Sequence, residues 1–149
     1  MRALWEAFRT RGDGDRGYSW VGFYLGPGGR TPDALAGPAE MVLSVREPKP
    51  ACSPISLHGA CGRSYLSGRA LVVRDVKALG ENYIACDPRD RSEVVVPYFN
   101  REGRVIGVLD VDSFDADAFS RADAVALADL LRRAGVCAGR TELAVDVAG

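Results

Sequence analysis

Residues 92–113 read SEVVVPYFNREGRVIGVLDVDS and contain two apolar runs separated by a polar segment. The runs 93–99 and 105–113 are rich in β-branched and aromatic residues, which favour strands. The segment between them, 100–103, begins with asparagine and ends with glycine, a composition typical of turns. The sequence therefore predicts an antiparallel hairpin.

Three more strands are predicted upstream of the hairpin, at 19–25, 40–46 and 70–73. The first is rich in aromatic and β-branched residues, and the second alternates apolar with polar residues, as a strand does when one face packs on a core. The long connection 26–38 between the first two is rich in glycine and proline.

Helices are predicted at 3–9, at 60–67 and after Ser120, where apolar residues recur at helical spacing. Ser120 and Asp123 form a weak capping box at the start of the last helix. Helices beside these strands predict an α+β fold, with a central, mostly antiparallel sheet of about five or six strands.

The chain length of 149 residues fits one domain. We predict a single domain over 1–149, with a core at about 18–135. An N-terminal helix and loop occupy 1–17, and a tail occupies 140–149.

Composition and charge exclude several classes of function. The net charge is −1 and no basic stripe occurs, which argues against a nucleic-acid partner. No apolar run approaches the roughly 20 residues of a membrane span. Residues 1–10 mix charged with apolar residues and do not resemble a signal peptide. We therefore expect a cytoplasmic protein with no membrane partner.

Cysteines in a reducing compartment are more often catalytic, redox-active or metal-binding than disulfide-bonded. Cys86 lies in a polar loop, where Arg89 and Arg91 are expected to lower its pKa and favour the nucleophilic thiolate. Cys52 and Cys61 lie beside proline or glycine, where chain movement lets two sulfurs meet. The alternative is that Cys86 is a small buried apolar residue.

No metal or other cofactor is predicted. Zinc sites favour close pairs of cysteine or histidine, and a site of Cys52, His58, Cys61 and Cys86 resembles no common zinc module in its spacing. His58 is interpreted as a solvated loop residue, and Cys137 as a buried residue of the C-terminal helix.

Three acidic residues occur in the two strands of the hairpin. Glu93 begins the first strand, and Asp110 and Asp112 point to one face of the second. Burying unpaired carboxylates costs several kcal/mol, so this face should open onto a polar ligand or solvent. The acids therefore suit a cationic group such as a free amine, or else form a solvent-exposed strand end.

Two aromatic residues lie on one face of the predicted strand 19–25. Trp20 and Tyr24 flank Gly22, which leaves room beside the backbone. Together they are able to form an apolar slot for a methyl or thioether group, with the tyrosine hydroxyl at its rim. The alternative is a pair of ordinary core aromatics.

Several segments occur in an order that one known family shares. They are Trp20-Val-Gly-Phe-Tyr24, Pro50-Ala-Cys52, Cys61-Gly62, Ile84-Ala-Cys86-Asp87, Ser92-Glu93 with Pro97, and Gly107-Val-Leu-Asp110-Val-Asp112-Ser113. Over about 18–133 the chain resembles the free methionine-R-sulfoxide reductases, which are GAF-domain enzymes. It departs from the family pattern at 81–83, where Glu-Asn-Tyr replaces Pro-Gly-His.

The resemblance implies a single GAF-type domain that reduces free L-methionine-R-sulfoxide to methionine. It implies that Cys86 attacks the sulfoxide sulfur and becomes a sulfenic acid. It also implies that Cys52 resolves this acid as a disulfide, with Cys61 as a second resolving thiol, and that thioredoxin reduces the disulfide. A homodimer is implied on the same ground.

The resemblance further implies the contacts with the substrate. Trp20 and Tyr24 line the pocket for the methyl group, while Glu93, Asp110 and Asp112 hold the ammonium group. At least one of these acids protonates or polarises the sulfoxide oxygen.

The main alternative is a non-catalytic GAF module that senses a small ligand. The sequence carries no recognisable output domain, which argues against it. A thiol-based redox switch on the same fold is a third hypothesis, and an interaction domain with inert cysteines is a fourth.

Overall fold

The structure is a computed structural model that describes residues 1–9, 17–83, 86–138 and 143–149. The described helices are α1 (Arg2–Phe8), α2 (Ala60–Ser67), α3 (Arg121–Arg133) and a 3₁₀ helix at Val76–Asn82. The strands are β1 (Trp20–Leu25), β2 (Glu40–Glu47), β3 (Ile55–Ser56), β4 (Ala70–Val73), β5 (Ser92–Phe99), β6 (Val105–Ser113) and β7 (Val145–Ala148).

The strands form one seven-stranded sheet in the order β3-β2-β1-β6-β5-β4-β7. Every neighbouring pair is antiparallel except β4 and β7, which are parallel. This confirms the predicted α+β class and the mostly antiparallel sheet. The predicted hairpin is β5–β6, and its turn is closed by Asn100, whose side chain accepts hydrogen bonds from the backbone N–H groups of Glu102 and Arg104.

Two short strands were not predicted. β3 pairs only with the start of β2, and β7 lies in the predicted tail and pairs with β4 through Ala70 opposite Val145. Both are too short to show a periodic pattern, and they become strands because a distant partner supplies their hydrogen bonds.

The two faces of the sheet have different partners. Val94, Val96 and Leu109 point to the face that packs under α3, in a core that includes Phe119 and Leu127. The alternate residues of the same strands point to the opposite face, towards α2, as the two-residue side-chain period of a strand requires. Both faces of the central strands are thus buried, and a site on the α2 face has a rigid floor.

The predicted capping of α3 is confirmed. The Ser120 side chain accepts from the Asp123 backbone N–H, and the Asp123 carboxylate accepts in return from the Ser120 backbone N–H. This reciprocal pair satisfies N–H groups that have no partner inside the helix.

Close backbone packing positions α2, which carries Cys61. A Cβ atom at Gly62 would lie 2.1 Å from the carbonyl oxygen of Leu57, so only glycine allows the two segments to meet. The helix ends at Gly68 in the left-handed conformation, with φ of 63°.

Two sequence predictions fall partly outside the described residues. These are the loop at 12–17, of which the structure describes residue 17, and the tail at 140–149, of which it describes 143–149. In the described part of the chain, no helix combines the length and apolar character that crossing a bilayer requires.

Gly22 gives space to the indole ring of Trp20. A Cβ atom at position 22 would lie 2.1 Å from the Cη2 atom of this ring. The predicted room beside the β1 backbone is therefore filled by Trp20 itself.

Gly22→Ala is expected to lower the free energy of unfolding by about 1–3 kcal/mol, because the added methyl group displaces the indole ring of Trp20. Urea denaturation followed by tryptophan fluorescence measures the change. Gly59→Ala is the control, since an added Cβ at Gly59 meets nothing within 4 Å. Equal losses in the two variants would contradict the packing described for Trp20.

Candidate active site

A cavity of about 310 Å³ lies on the α2 face of the sheet. Its wall includes every site residue predicted from the sequence: Trp20, Tyr24, Cys52, Cys61, Cys86, Glu93, Asp110 and Asp112. The size is at the lower end of the range for small-molecule pockets, about 300–1,000 Å³. The fold therefore brings distant parts of the chain to one cavity.

The register of the sheet arranges the aromatic and acidic residues in rows. Trp20 on β1 lies opposite Asp112 on β6, which lies opposite Glu93 on β5. The next row places Gly22 opposite Asp110. Directly opposite residues on one face have Cβ atoms about 4.5–5.5 Å apart, so the indole borders the acids.

The three carboxylates form a tight cluster. One oxygen each from Glu93, Asp110 and Asp112 lies within 4.8 Å of the others. Glu93 is 4% exposed and Asp110 7% exposed, and among the described residues Oε1 of Glu93 and Oδ1 of Asp110 have no hydrogen-bond partner. Such atoms are costly to bury, and a single cation, an ammonium group or a metal ion, would satisfy them.

Burial changes the ionisation of these acids. It raises the pKa of Asp110 from its ordinary 3.8 to about 7. Burial and the Asp110 charge also raise the pKa values of Glu93 and Asp112 well above their ordinary range. Neighbouring carboxyl groups do not readily ionise together. One of them can therefore be ionised and bind a cation while another keeps its proton.

Cys61 lies beside this cluster and is buried. Its Sγ donates a hydrogen bond to Oδ2 of Asp110 at 3.2 Å. Burial and the Asp110 charge raise the pKa of the Cys61 thiol, so it stays protonated and acts as a donor.

Cys52 and Cys86 are exposed, and both line the cavity. They are close enough for Cys52 to contribute to a raised pKa of the Cys86 thiol. The Tyr24 hydroxyl holds the Cys52 segment by donating to the Cys52 carbonyl at 2.8 Å. This pair is therefore arranged for sulfur chemistry between the two residues.

The expectation that arginines lower the pKa of Cys86 is wrong. Arg89 pairs with both oxygens of Asp87, and Arg91 pairs with Asp75 at 2.8 Å. Burial and the neighbouring Cys52 raise the pKa of Cys86 to about 12. The resting residue is therefore a thiol, and its deprotonation has to accompany any attack.

The aromatic pair forms the apolar wall of the cavity. The ring centroids of Trp20 and Tyr24 are 6.1 Å apart and their planes are tilted by 38°. The indole N–H donates to the Lys49 carbonyl at 2.9 Å. Both polar groups of these aromatics therefore donate hydrogen bonds to the 49–52 backbone, and the tyrosine hydroxyl that was predicted at the rim is one of them.

Tyr83 and Asp90 are among the lining residues that the sequence analysis did not identify. Asp90 accepts a hydrogen bond from the Ser19 hydroxyl at 3.0 Å, and burial raises its pKa to about 6. Both lie in irregular segments, where no periodic pattern indicates which way a side chain points.

The remaining candidates lie apart from the cavity. His58 is exposed and does not line it, in agreement with its interpretation as a loop residue. Cys137 lies beyond the end of α3 rather than in it, and its sulfur accepts a hydrogen bond from the Phe99 backbone N–H at 3.4 Å.

Comparison with known families gives a match over most of the chain. The GAF domain family profile matches residues 14–137. The chain belongs to the GAF domain family. The described sheet and its flanking helices are accordingly a GAF fold.

Individual relatives of this GAF domain confirm the resemblance noted in the sequence. GAF domain-containing protein A of Dictyostelium discoideum is 34% identical over 116 residues, which are 77% of this chain and 66% of that protein. The free methionine-R-sulfoxide reductase of Saccharomyces cerevisiae is 29% identical over 121 residues, 80% of this chain and 61% of that protein.

A solved structure also matches. It is the free methionine-R-sulfoxide reductase of Neisseria meningitidis in complex with its substrate, with a TM-score of 0.69 and 38% identity. The match covers 88% of this chain and 68% of that one. The curated relatives are longer, and the chain spans 58–66% of their lengths.

Asp110→Asn is expected to stabilise the fold at pH 8 by an amount on the order of 2 kcal/mol and to change stability little at pH 4. The pKa of Asp110 is higher in the folded protein, about 7, than the ordinary 3.8. The folded state then binds more protons than the unfolded state. The contribution of Asp110 to the free energy of unfolding is therefore complete below about pH 4 and is lost as the pH rises to about 7.

Urea denaturation at the two pH values measures the difference. Asp33→Asn replaces an exposed aspartate and is the control, with little change expected at either pH. An Asp110→Asn variant that is destabilised equally at pH 4 and pH 8 would contradict the raised pKa of this buried carboxyl group.

Proposed function

We propose that this chain reduces free L-methionine-R-sulfoxide to methionine, with Cys86 as the attacking thiol. The observation that carries the proposal is a single cavity that joins the Cys52–Cys86 sulfur pair to an aromatic wall and to buried, unpartnered carboxylates. Relatives at about 30–40% identity that bear this enzyme's name support it.

The parts of the substrate match the parts of the cavity. The ammonium group suits Glu93 and Asp110, whose free oxygens are buried without a partner among the described residues. The methyl and thioether groups suit the apolar wall of Trp20 and Tyr24. The sulfoxide sulfur is then presented to Cys86 at the exposed end of the cavity.

The first step transfers oxygen from substrate to protein. The Cys86 sulfur attacks the sulfoxide sulfur, the oxygen passes to Cys86, and methionine leaves, so that thiol and sulfoxide give sulfenic acid and thioether. A protonated acid of the Glu93, Asp110 and Asp112 cluster polarises the sulfoxide oxygen during attack.

The second step removes the sulfenic acid. The Cys52 sulfur attacks the oxidised Cys86 sulfur, a disulfide forms, and the oxygen leaves as water. Cys52 is favoured over Cys61 for this role, because Cys52 is exposed like Cys86 and lies near it, while Cys61 is buried against Asp110. A dithiol reductant of the thioredoxin class then restores both thiols.

Two cysteine variants are expected to separate these steps. Cys86→Ser abolishes methionine formation, because it removes the nucleophile. Cys52→Ser releases about one methionine per protein and then stops, because the sulfenic acid is not resolved. The assay is consumption of the R epimer with thioredoxin, thioredoxin reductase and NADPH, and the S epimer is the substrate control.

Cys137→Ser is the matched variant, since Cys137 lies outside the cavity and multiple turnovers are expected to continue. Multiple turnovers by Cys86→Ser at the wild-type rate would refute the assignment of the nucleophile.

N-acetylation of the substrate is expected to lower kcat/KM by at least about 100-fold, because the amide leaves the buried acids without their ammonium partner. The rates with free and N-acetylated methionine-R-sulfoxide, measured in the same coupled assay, give this ratio. Similar kcat/KM values for the two would show that the acids do not bind the ammonium group.

A ligand-sensing module is the second candidate, because GAF domains with no reductase name are equally similar in sequence. The presence of Cys52 and Cys86 in the wall of one cavity argues for turnover instead. Failure to consume either epimer, by folded protein with reducible thiols, would favour the sensor.

A further inference from the structure

The segment that carries Cys52 is held against the sheet at both of its ends. The Trp20 indole N–H donates to the Lys49 carbonyl at 2.9 Å, and the Tyr24 hydroxyl donates to the Cys52 carbonyl at 2.8 Å. These bonds fix the distance of the segment from β1, but they do not tie it to the loop that carries Cys86.

The loop that carries Cys86 is organised by the next residue, Asp87. Its carboxylate accepts from the Arg89 backbone N–H at 3.1 Å and from the Arg89 guanidinium at 3.0 and 2.8 Å. The guanidinium lies 4.5 Å from the centre of the Phe114 ring, which holds it in place. Asp87 is therefore a fixed acceptor directly beside the nucleophile.

Lys49 connects the two segments. Its ammonium group forms an ion pair with Oδ2 of Asp87. Lys49 lies three residues before Cys52 in the sequence, and Asp87 directly follows Cys86. Lys49, Asp87 and Cys86 also line one small cavity beside the main one, so the ion pair lies near Cys86.

We propose that the Lys49–Asp87 ion pair is a clamp that positions the Cys52 thiol against Cys86 and so promotes formation of the disulfide between them. Lys49 is thus a positioning residue that touches neither the substrate nor the reacting sulfurs. The role of the clamp in turnover rests on the proposed function, but its effect on the disulfide does not.

Positioning acts through effective concentration. Holding the two thiols in reacting geometry raises the effective concentration of one at the other, which favours the disulfide between them. The Lys49 side chain is 46% exposed and that of Asp87 is 11% exposed, so the pair is only partly shielded from solvent. Its effect is therefore modest and falls as salt screens the charges.

The test uses thiol–disulfide exchange without any sulfoxide. Glutathione disulfide accepts two electrons from the Cys52 and Cys86 thiols, which yields the protein disulfide and two molecules of glutathione. Alkylation of the remaining thiols and peptide mass mapping give the equilibrium constant for this disulfide. The measurement is made on the whole chain at low ionic strength and in about 1 M NaCl, where the Debye length is about 3 Å.

Lys49→Met is expected to lower the equilibrium constant roughly two- to fivefold at low salt, the range for a partly exposed ion pair. In about 1 M NaCl, the equilibrium constant of the wild type is expected to fall to that of Lys49→Met. Lys49→Arg keeps the charge and stays within about twofold of wild type. Lys77→Met is the matched control, since it removes an exposed lysine elsewhere on the chain, and no change is expected.

Two results would overturn the clamp. One is a Lys49→Met variant equal to wild type at low salt. The other is a loss that persists unchanged in 1 M NaCl, which would indicate lost packing rather than lost charge. Failure of Cys52 and Cys86 to form a disulfide at all would overturn it as well.

The proposed function is judged by a different readout. A salt-dependent loss in Lys49→Met without any consumption of methionine sulfoxide would support the clamp and refute the reductase. Sulfoxide reduction with no effect of Lys49→Met on the exchange equilibrium would support the reductase and refute the clamp.

Discussion

The register between β5, β6 and β1 is the constraint on which the site depends. It places Glu93, Asp112 and Trp20 in one row and Asp110 in the next, all on the α2 face. A slip of one residue would turn every side chain of a strand to the other face. The carboxylates would then enter the apolar core under α3, at a cost of several kcal/mol, so the hydrophobic pattern and the acid positions enforce the same pairing.

The cavity combines two kinds of structure with different tasks. Its floor is sheet, buried on both faces, and it carries the acids and aromatics that match an amino-acid ligand. Its sulfur pair belongs to irregular segments around Cys52 and Cys86, which rest on the sheet through side-chain hydrogen bonds and meet at the Lys49–Asp87 ion pair. Rigid elements suit recognition, while irregular segments can accept the movement that making and breaking a disulfide requires.

The buried carboxylates make the cavity electrostatically less favourable than an apolar cavity of the same shape. Burial of Glu93 and Asp110, each with one oxygen that has no partner among the described residues, raises their pKa values and opposes their ionisation. Proteins retain such features where function needs them, because a ligand restores the missing interactions. The protonated thiol of Cys86 fits this pattern, since a charged sulfur would repel the acids before substrate arrives.

The sequence by itself determined the central strands, the hairpin, the capped α3 helix and eight of the residues that line the cavity. These follow from local rules: strand periodicity fixes which side chains share a face, and Ser120 with Asp123 marks a helix start. Only the tertiary structure decided what depends on distant neighbours. β7 forms because it pairs with the edge of β4. Arg89 and Arg91 form ion pairs with Asp87 and Asp75 and do not lower the pKa of the Cys86 thiol. Lys49 reaches Asp87, which lies 38 positions away in the sequence.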